Sequence, residues 1–392
     1  MNQTITIETL LPADAEKALL VGRVWDSLQG GPTPVLLRDG QLLDVTELAE
    51  TSSSLFELDN LAGRLRDFKA GRVIGSLEEV LENTPYQNRN EGKPYLISPN
   101  DLQAIKASGV TFVASMLERV IEERTGGDLK LAEQMRAEIM GIIGDDLSSI
   151  VPGSEAAMNT KKVLQEKGAW SQYLEVGIGP DAEIFTKSQP MSAVGVGSQV
   201  GLHPISNWNN PEPEVVLAVN SRGEVQGAAL GNDVNLRDVE GRSALLLGKA
   251  KDNNASCSIG PFVRVFDGFF TFETVSNADI QLRIDGEDGF VLEGVSNMSK
   301  ISRPPMSLVS QAIGKHHQYP DGFMLFLGTM FAPTDDRDEP GKGFTHKIND
   351  RVSVSTDSLG TLVNWVGRSD ELPPWTFGSR DLMKNLAHRG LI

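Results

Sequence analysis

From about residue 173 onward the chain is written in short apolar runs broken by Gly, Asn, Asp and Pro. Examples are EVVLAV at 214–219, PFVRVF at 261–266, FMLFLG at 323–328 and RVSVS at 351–355. Such runs, rich in Val and Phe and bounded by turn residues, are strand signals. They do not alternate regularly with helical stretches, which argues against a doubly wound parallel sheet. The expectation is an α+β protein with a mainly β body. A hydrophobic content of 40% over 392 residues is enough for sizeable cores, and 39 Gly and 20 Pro supply the turns.

Two regions precede that body. Residues 32–45, PTPVLLRDGQLLDV, read as two strands around an Arg-Asp-Gly turn, because Asp-Gly between apolar runs favours a hairpin. Residues 1–98 form the expected small N-terminal domain, and 99–392 the second domain. The polar stretch NRNEGKPYLISPND separates them and leads to a predicted helix start, with Ser98 as cap and Pro99 at the first helical position. A helical segment over about 99–168 follows. In it Phe112, Val113, Met116, Leu117, Val120 and Ile121 recur at helical spacing, while Ser115, Glu118, Arg119 and Glu122 share the opposite face. Gly126 and Gly127 end this helix, and a second is predicted over Asp128–Ile143.

The formal charge of −17, from 36 Lys plus Arg against 53 Asp plus Glu, disfavours nucleic acid and acidic membrane surfaces as partners. Cys257 is the one cysteine, so no internal disulfide is possible; its small, apolar surroundings suggest a buried thiol. The N-terminus shows no basic segment followed by an apolar run, and the most apolar stretch, Phe323–Ala332, is half the roughly 20 residues that a membrane helix needs. A cytoplasmic protein is expected.

The most informative stretch is PEPEVVLAV at 211–219. On a strand, Glu212 and Glu214 project from one face, and Asp233, nineteen residues on in GNDVNLRD, offers a third carboxylate from a neighbouring strand or turn. Three converging carboxylates repel one another unless a cation joins them, and an all-oxygen set suits Mg²⁺, with Mn²⁺ or Ca²⁺ as substitutes. Alternate glutamates alone also describe a solvated edge strand. His203 in LHPISN and His316 and His317 in GKHHQYPDG read as loop residues, and the spacing of Gly195 and Gly197 fits no phosphate loop.

Further residues in order resemble the fumarylacetoacetate hydrolase superfamily. They are Glu212 and Glu214 in PEPE, Asp233 and Arg237 in NDVNLRD, Lys251 in GKAKDNNASCSIGPF, Gly328 and Thr329 in FLGTMFAP, and the closing NDRVSVSTDSLGTLVNWV with Asn349-Asp350 in the family's glycine-aspartate place. Lys187 and Ser188 in FTKSQP resemble the family's FxKP strand, with the proline displaced. The resemblance covers most of residues 99–370 and nothing secure in the first 98. It implies a mixed β-roll or sandwich catalytic domain, with Glu212, Glu214 and Asp233 as metal ligands and a 2-oxo acid chelated by the metal through its carboxylate and ketone.

Hydrolytic members carry a GxNYxxHxxE helix whose His and Glu activate water. Here the block is GVTFVASMLE, with Glu118 in register and Ser115 where the His should be. A serine cannot take up a proton near neutral pH as imidazole does, so activation of an attacking water is disfavoured. In this departure the chain resembles the 2-keto-3-deoxy-pentonate dehydratase branch, such as the D-arabinonate enzymes. That branch implies a metal-dependent lyase that removes water from a 2-keto-3-deoxy sugar acid to give 2-oxoglutarate semialdehyde. On that reading Lys251, or else Glu118, takes the C3 proton, and Glu118 or a water on Ser115 protonates the departing C4 hydroxyl. Gly328 and Thr329 hold the substrate carboxylate, with Lys187 and Ser188 nearby. Arg237 either contacts substrate or pairs with Asp238 to brace the turn, and Lys249 rivals Lys251 if GKAK is a strand. An acylpyruvate-type hydrolase or 2-oxo-acid decarboxylase is the alternative within the superfamily, and a non-catalytic sugar-acid-binding protein the alternative outside enzymes. The resemblance implies a homodimer or homotetramer; Leu382, Met383 and Leu386 near the C-terminus pack either at such an interface or within the chain.

Overall fold

A computed structural model of the chain describes residues 4–69, 71–109, 111–112, 150–166, 168, 170–331, 333, 335–338 and 343–392. Ser115, Glu118 and, beyond Phe112, the two helices expected up to Ile143 lie outside the described residues. The first strands are β1 (Leu20–Asp26), β2 (Gly31–Arg38), β3 (Gln41–Asp44), β4 (Val73–Ser76), β5 (Tyr95–Ile97) and β6 (Ala104–Ser108). Then come β7 (Ile184–Ser188), β8 (Gln199–Leu202), β9 (Pro213–Val219), β10 (Val225–Asp233) and β11 (Cys257–Val265). The last are β12 (Asp279–Asp285), β13 (Val291–Asn297), β14 (Phe323–Phe326), β15 (Arg351–Thr356) and β16 (Gly360–Arg368).

Among the described residues these strands form two sheets. The larger has eleven strands in the order β4-β3-β2-β1-β11-β10-β9-β14-β6-β7, with β5 on β1; the smaller is β13-β12-β15-β16-β8. Only β6 with β14 and β8 with β16 run parallel. This is the expected α+β, mainly β architecture. The β2–β3 hairpin turns at Asp39 and Gly40, both with positive φ, as the Asp-Gly signal predicts. Strands β1–β5 are joined to the rest through β1 and β11, where Leu20 pairs with Arg264 and Val21 with Val263.

Strand β9 is buried along its whole length, so both faces of the large sheet are covered, which explains the unbroken apolar run. Alternate residues then feed two cores. Val215, Leu217 and Val219 pack with Phe323, Leu325, Ile284 and Val352 between the sheets. Val216 and Ala218 pack on the other side with Met324, Phe326, Ile105, Cys257 and Ile259, beneath Leu55, Phe56, Leu61 and Leu65 of the N-terminal helices Ser52–Phe56 and Leu61–Asp67. Glu214 has the parity of Val216, so its carboxylate faces the second core.

The helical segment expected to open at Pro99 does not open there. The Ser98 hydroxyl bonds the Asn100 side chain at 2.5 Å instead of capping a helix, and Asp101 receives the backbone amides of Ser52 and Ser53. Residues 104–108 then form β6, whose Ile105 and Ala107 alternate into the second core. A Ser-Pro pair marks a turn as well as a helix start, and five residues are too few for periodicity to choose. Within the predicted helical segment, Glu155–Glu166 is helical. No helix among the described residues is long and apolar enough to cross a membrane. Cys257 is buried, and burial pushes its thiol well above the ordinary range. Near the C-terminus, Leu382 and Leu386 pack within the chain against Met191, while Met383 is exposed.

Candidate metal centre

The mouth of the second core is acidic. Strands β9 and β10 pair antiparallel, with Glu214 opposite Gly231 and the Asp233 amide donating to the Glu212 carbonyl at 2.9 Å. That register sets Glu212, Glu214 and Asp233 on one face. Each offers a carboxylate oxygen within 4.8 Å of the others, and all three residues are buried. A solvated edge strand is therefore not what PEPE forms.

Two lysines and a glycine amide close around these oxygens. Lys251 ends the short helix Leu247–Lys251; its ammonium pairs with Glu212 and stands 3.3 Å from Asp233 Oδ2. Lys187, fully buried on β7, lies 2.9 Å from Asp233 Oδ1. In sheet order β7 is four strands away from β10, so the sheet coils to bring its last strand back over the site. Phe185, two residues earlier on the same face, sets its ring 5.7 Å from the Lys251 ammonium. The Gly328 amide donates to Glu214 Oε2 at 2.7 Å. Gly328 has φ +93°, and a Cβ there would lie 2.4 Å from Thr111 Oγ1 and 2.5 Å from the Gly109 carbonyl, so another residue would both strain the turn and push it off the glutamate. The segment just before Ser115 and Glu118 thus runs alongside the Glu214 contact.

Charge is out of balance here. Burial, then the carboxylates of Asp233 and Glu212, push the Glu214 carboxyl well above the usual carboxylate range. Burial opposes the charge on Lys251, yet Asp233, Glu212 and Glu240 outweigh it and hold the ammonium well above the ordinary lysine range. Three buried carboxylates with oxygens already converged, one of them pushed upward by the other two, form a set that a divalent cation fits. Among the described residues it is the one cluster of this kind.

Other sequence candidates sit around this corner with other neighbours. The Thr329 hydroxyl donates to the Phe331 carbonyl at 2.9 Å. Ser188, next to Lys187 and so on the opposite strand face, meets Ser192 Oγ at 2.5 Å and Asp252 at 3.4 Å. Arg237 is buried with its guanidinium 4.2 Å from the Trp208 ring, while Asp238 receives Ser206 Oγ at 2.7 Å and the Asn207 amide at 2.8 Å. The expectation that Lys249 and Lys251 share a strand face is corrected: residues 247–251 are helical, and Lys249 points outward to His203 Nε2 at 3.1 Å. His316 and His317 are exposed. Sequence reasoning passed over Asn235, whose side-chain amide bridges Glu212 Oε1 at 3.0 Å and Glu240 Oε2 at 2.6 Å. Its signal was its place two residues after Asp233.

The curated relatives found are both named for dehydratases of 2-keto-3-deoxy sugar acids. The chain is 29% identical over 202 residues to a probable 2-keto-3-deoxyxylonate dehydratase of Haloferax volcanii, covering 52% of this chain and 66% of the relative. It is 31% identical over 181 residues to a 2-dehydro-3-deoxy-D-arabinonate dehydratase of Saccharolobus solfataricus, covering 46% of this chain and 57% of the relative. Both matches span less than two thirds of the relative's length. Among solved structures, a 2-keto-3-deoxy-D-arabinonate dehydratase complexed with magnesium and 2,5-dioxopentanoate superposes with a TM-score of 0.62 at 20% identity, over 89% of this chain and 99% of that one. No family model matches the chain. A likeness in sequence to 2-keto-3-deoxy-pentonate dehydratases, and the fold of a solved dehydratase of that kind, are both found as the resemblance implied.

Proposed function

We propose that the protein is a divalent-metal-dependent hydro-lyase that converts a 2-keto-3-deoxy-pentonate to 2-oxoglutarate semialdehyde and water. The observation that carries this reading is the convergence of three buried carboxylates within 4.8 Å on a fold shared with a magnesium-bound dehydratase. Glu212, Glu214 and Asp233 would hold the ion, Mg²⁺ by preference for oxygen ligands, with Mn²⁺ or Ca²⁺ as substitutes. Such an ion supplies Lewis-acid polarisation of a chelating 2-oxo acid, which acidifies the C3 hydrogens.

The chain's own groups divide the remaining work. Gly328 keeps Glu214 turned inward through its amide. Lys251 is the proton carrier of the set: as described it is a charged donor, and it takes the C3 proton only once Glu212 and Asp233 no longer hold its own. Glu118 is the other candidate for that step, and with Ser115 for protonating the C4 hydroxyl as it leaves. The half-buried Phe185 sets an apolar ring beside the Lys251 ammonium. The Thr329 turn is the proposed seat of the substrate carboxylate, with Arg237 lining the wall beside Trp208. Incubation of the protein with 2-keto-3-deoxy-D-arabinonate and Mg²⁺ should yield an aldehyde lighter than substrate by one water. Release of pyruvate or carbon dioxide instead would replace this reading with hydrolysis or decarboxylation.

A further inference from the structure

One cation in the corner cannot leave it. Lysine heads ordinarily reach for water, but Lys187 is buried to its tip. Its ammonium is spent on Asp233 Oδ1 at 2.9 Å, the Val234 carbonyl at 3.2 Å and the Lys251 carbonyl, with Ser256 Oγ at 3.5 Å. It comes from the opposite end of the sheet, so it also ties β7 to the turn after β10 and to the helix that carries Lys251. Lys251 by contrast contacts the carboxylates with a chain that leads out of a short helix end, and nothing described anchors its ammonium except those carboxylates and the Phe185 ring.

We propose that Lys187 is a resident counter-ion and positioning residue of the metal centre. It holds Asp233 in its ligand geometry when no metal is bound, and its fixed positive charge keeps the affinity for the metal alone low. The proposal rests on the reading of Glu212, Glu214 and Asp233 as metal ligands. A buried carboxylate deprived of its cation is unfavourable, and a dication relieves that more than it relieves a carboxylate already paired. A fixed ammonium one carboxylate away from the ion also repels it, and little solvent intervenes. Both effects act in the same direction. Lys187 thereby leaves the unloaded centre able to stand formed, and its charge adds to the attraction of the loaded one for an anionic 2-oxo acid.

The test is calorimetric titration of Mn²⁺ alone into the native chain and into Lys187→Met, Lys187→Gln and Lys187→Arg, with thermal unfolding of each in the presence and absence of Mn²⁺. The glutamine keeps an N–H donor for the carbonyls without the charge. The two neutral variants should bind Mn²⁺ at least tenfold more tightly than the native chain. Their metal-free unfolding midpoints should fall, and Mn²⁺ should raise those midpoints by more than it raises the native one. The arginine variant should bind as the native chain does. A neutral variant that folds only with Mn²⁺ would also support the proposal, whereas neutral variants that stay unfolded with Mn²⁺, or bind it no better than the native chain, would overturn it and leave Lys187 a mere brace. Absence of Mn²⁺ binding by the native chain and by both folded neutral variants alike would instead overturn the ligand reading itself, and this proposal with it.

Discussion

Two clusters among the described residues, each built around a buried carboxylate, resolve burial in contrary ways. At the carboxylate corner the acids outnumber their lysines, and Glu214 is pushed well above the usual carboxylate range. Asp350, equally buried, is held below that range: burial would raise it, but hydrogen bonds from Arg337 and His346 outweigh burial. Arg337 grips it with both terminal nitrogens at 2.6 and 2.7 Å, His346 Nδ1 lies at 3.0 Å and the Lys347 amide donates at 2.9 Å. Arg337 and Lys347 also share Asp288, each at 3.0 Å, and Lys347 reaches Asp338 at 2.5 Å. Planar and bidentate about Asp350, this second cluster is a brace joining the β12–β13 turn to the loop before β15. Burial alone therefore does not mark a functional site. Carboxylates that converge and push one another upward do.

If that contrast is sound, Glu214→Gln should do its damage to chemistry and little to folding. Removing one ligand charge should lower kcat/KM with Mg²⁺ by roughly a thousandfold, the scale of losing a principal electrostatic group in an active site. The metal-free unfolding midpoint should hold or rise, because the least favourable of the three charges has gone. A fall in midpoint with activity intact would show the corner to be a second brace.

Asp350→Asn should behave in the reverse sense. It leaves Arg337 buried with less of its compensation, at an expected cost of about 3–5 kcal/mol in unfolding free energy, while kcat/KM measured well below the midpoint changes little. Denaturant titration beside steady-state rates on the same sample checks both halves.

How much of this contrast was legible from residue order differs between the clusters. The proposed ligands lie on or beside neighbouring antiparallel strands joined by one turn, so parity and spacing alone set Glu212, Glu214 and Asp233 together. Lys187 was legible as a motif residue but not as the partner of Asp233, since that contact depends on the coiling of the whole sheet. Asn349, standing where relatives of this fold were expected to carry glycine, adopts φ +70°, a conformation that glycine and asparagine tolerate. Arg337 gave no signal, because its partners lie 13 and 49 residues away across loops. The five residues of 247–251 and of β6 were misjudged for one reason: neither period repeats within so short a run.

Titration offers a finer probe of the brace. Burial, the largest influence, lowers the His346 pKa despite its bond to Asp350, so the folded state keeps the ring neutral where the unfolded chain would protonate it. The stability contributed is present above the unfolded value of about 6.5 and is lost as pH falls below it, by at most about 1.4 kcal/mol per pH unit. Unfolding midpoints measured from pH 8 to pH 5 should be level at first and then drop, and His346→Gln should flatten the lower part of that curve. A native curve that stays level to pH 5 would remove His346 from the account of the brace.

The smallest effect expected is at Lys249, and it separates a geometric claim from a motif. Lysines two apart on a strand point the same way, but on a helix they stand about 200° apart, since each residue turns about 100°. Lys251 accordingly reaches the carboxylates while Lys249 meets His203 in solvent. Lys249→Met should change unfolding free energy by less than about 0.5 kcal/mol and leave kcat/KM within about twofold, as for other exposed charges. Burial and then the Lys249 charge lower the His203 pKa, so the variant should move it back toward the ordinary histidine value, a shift that NMR titration reads directly. Lys251→Met should instead lose both activity and the pairing of Glu212. If the two variants were equally impaired, the helix at 247–251 would have to unwind in the working enzyme, and the division between an exposed and a buried lysine would fall with it.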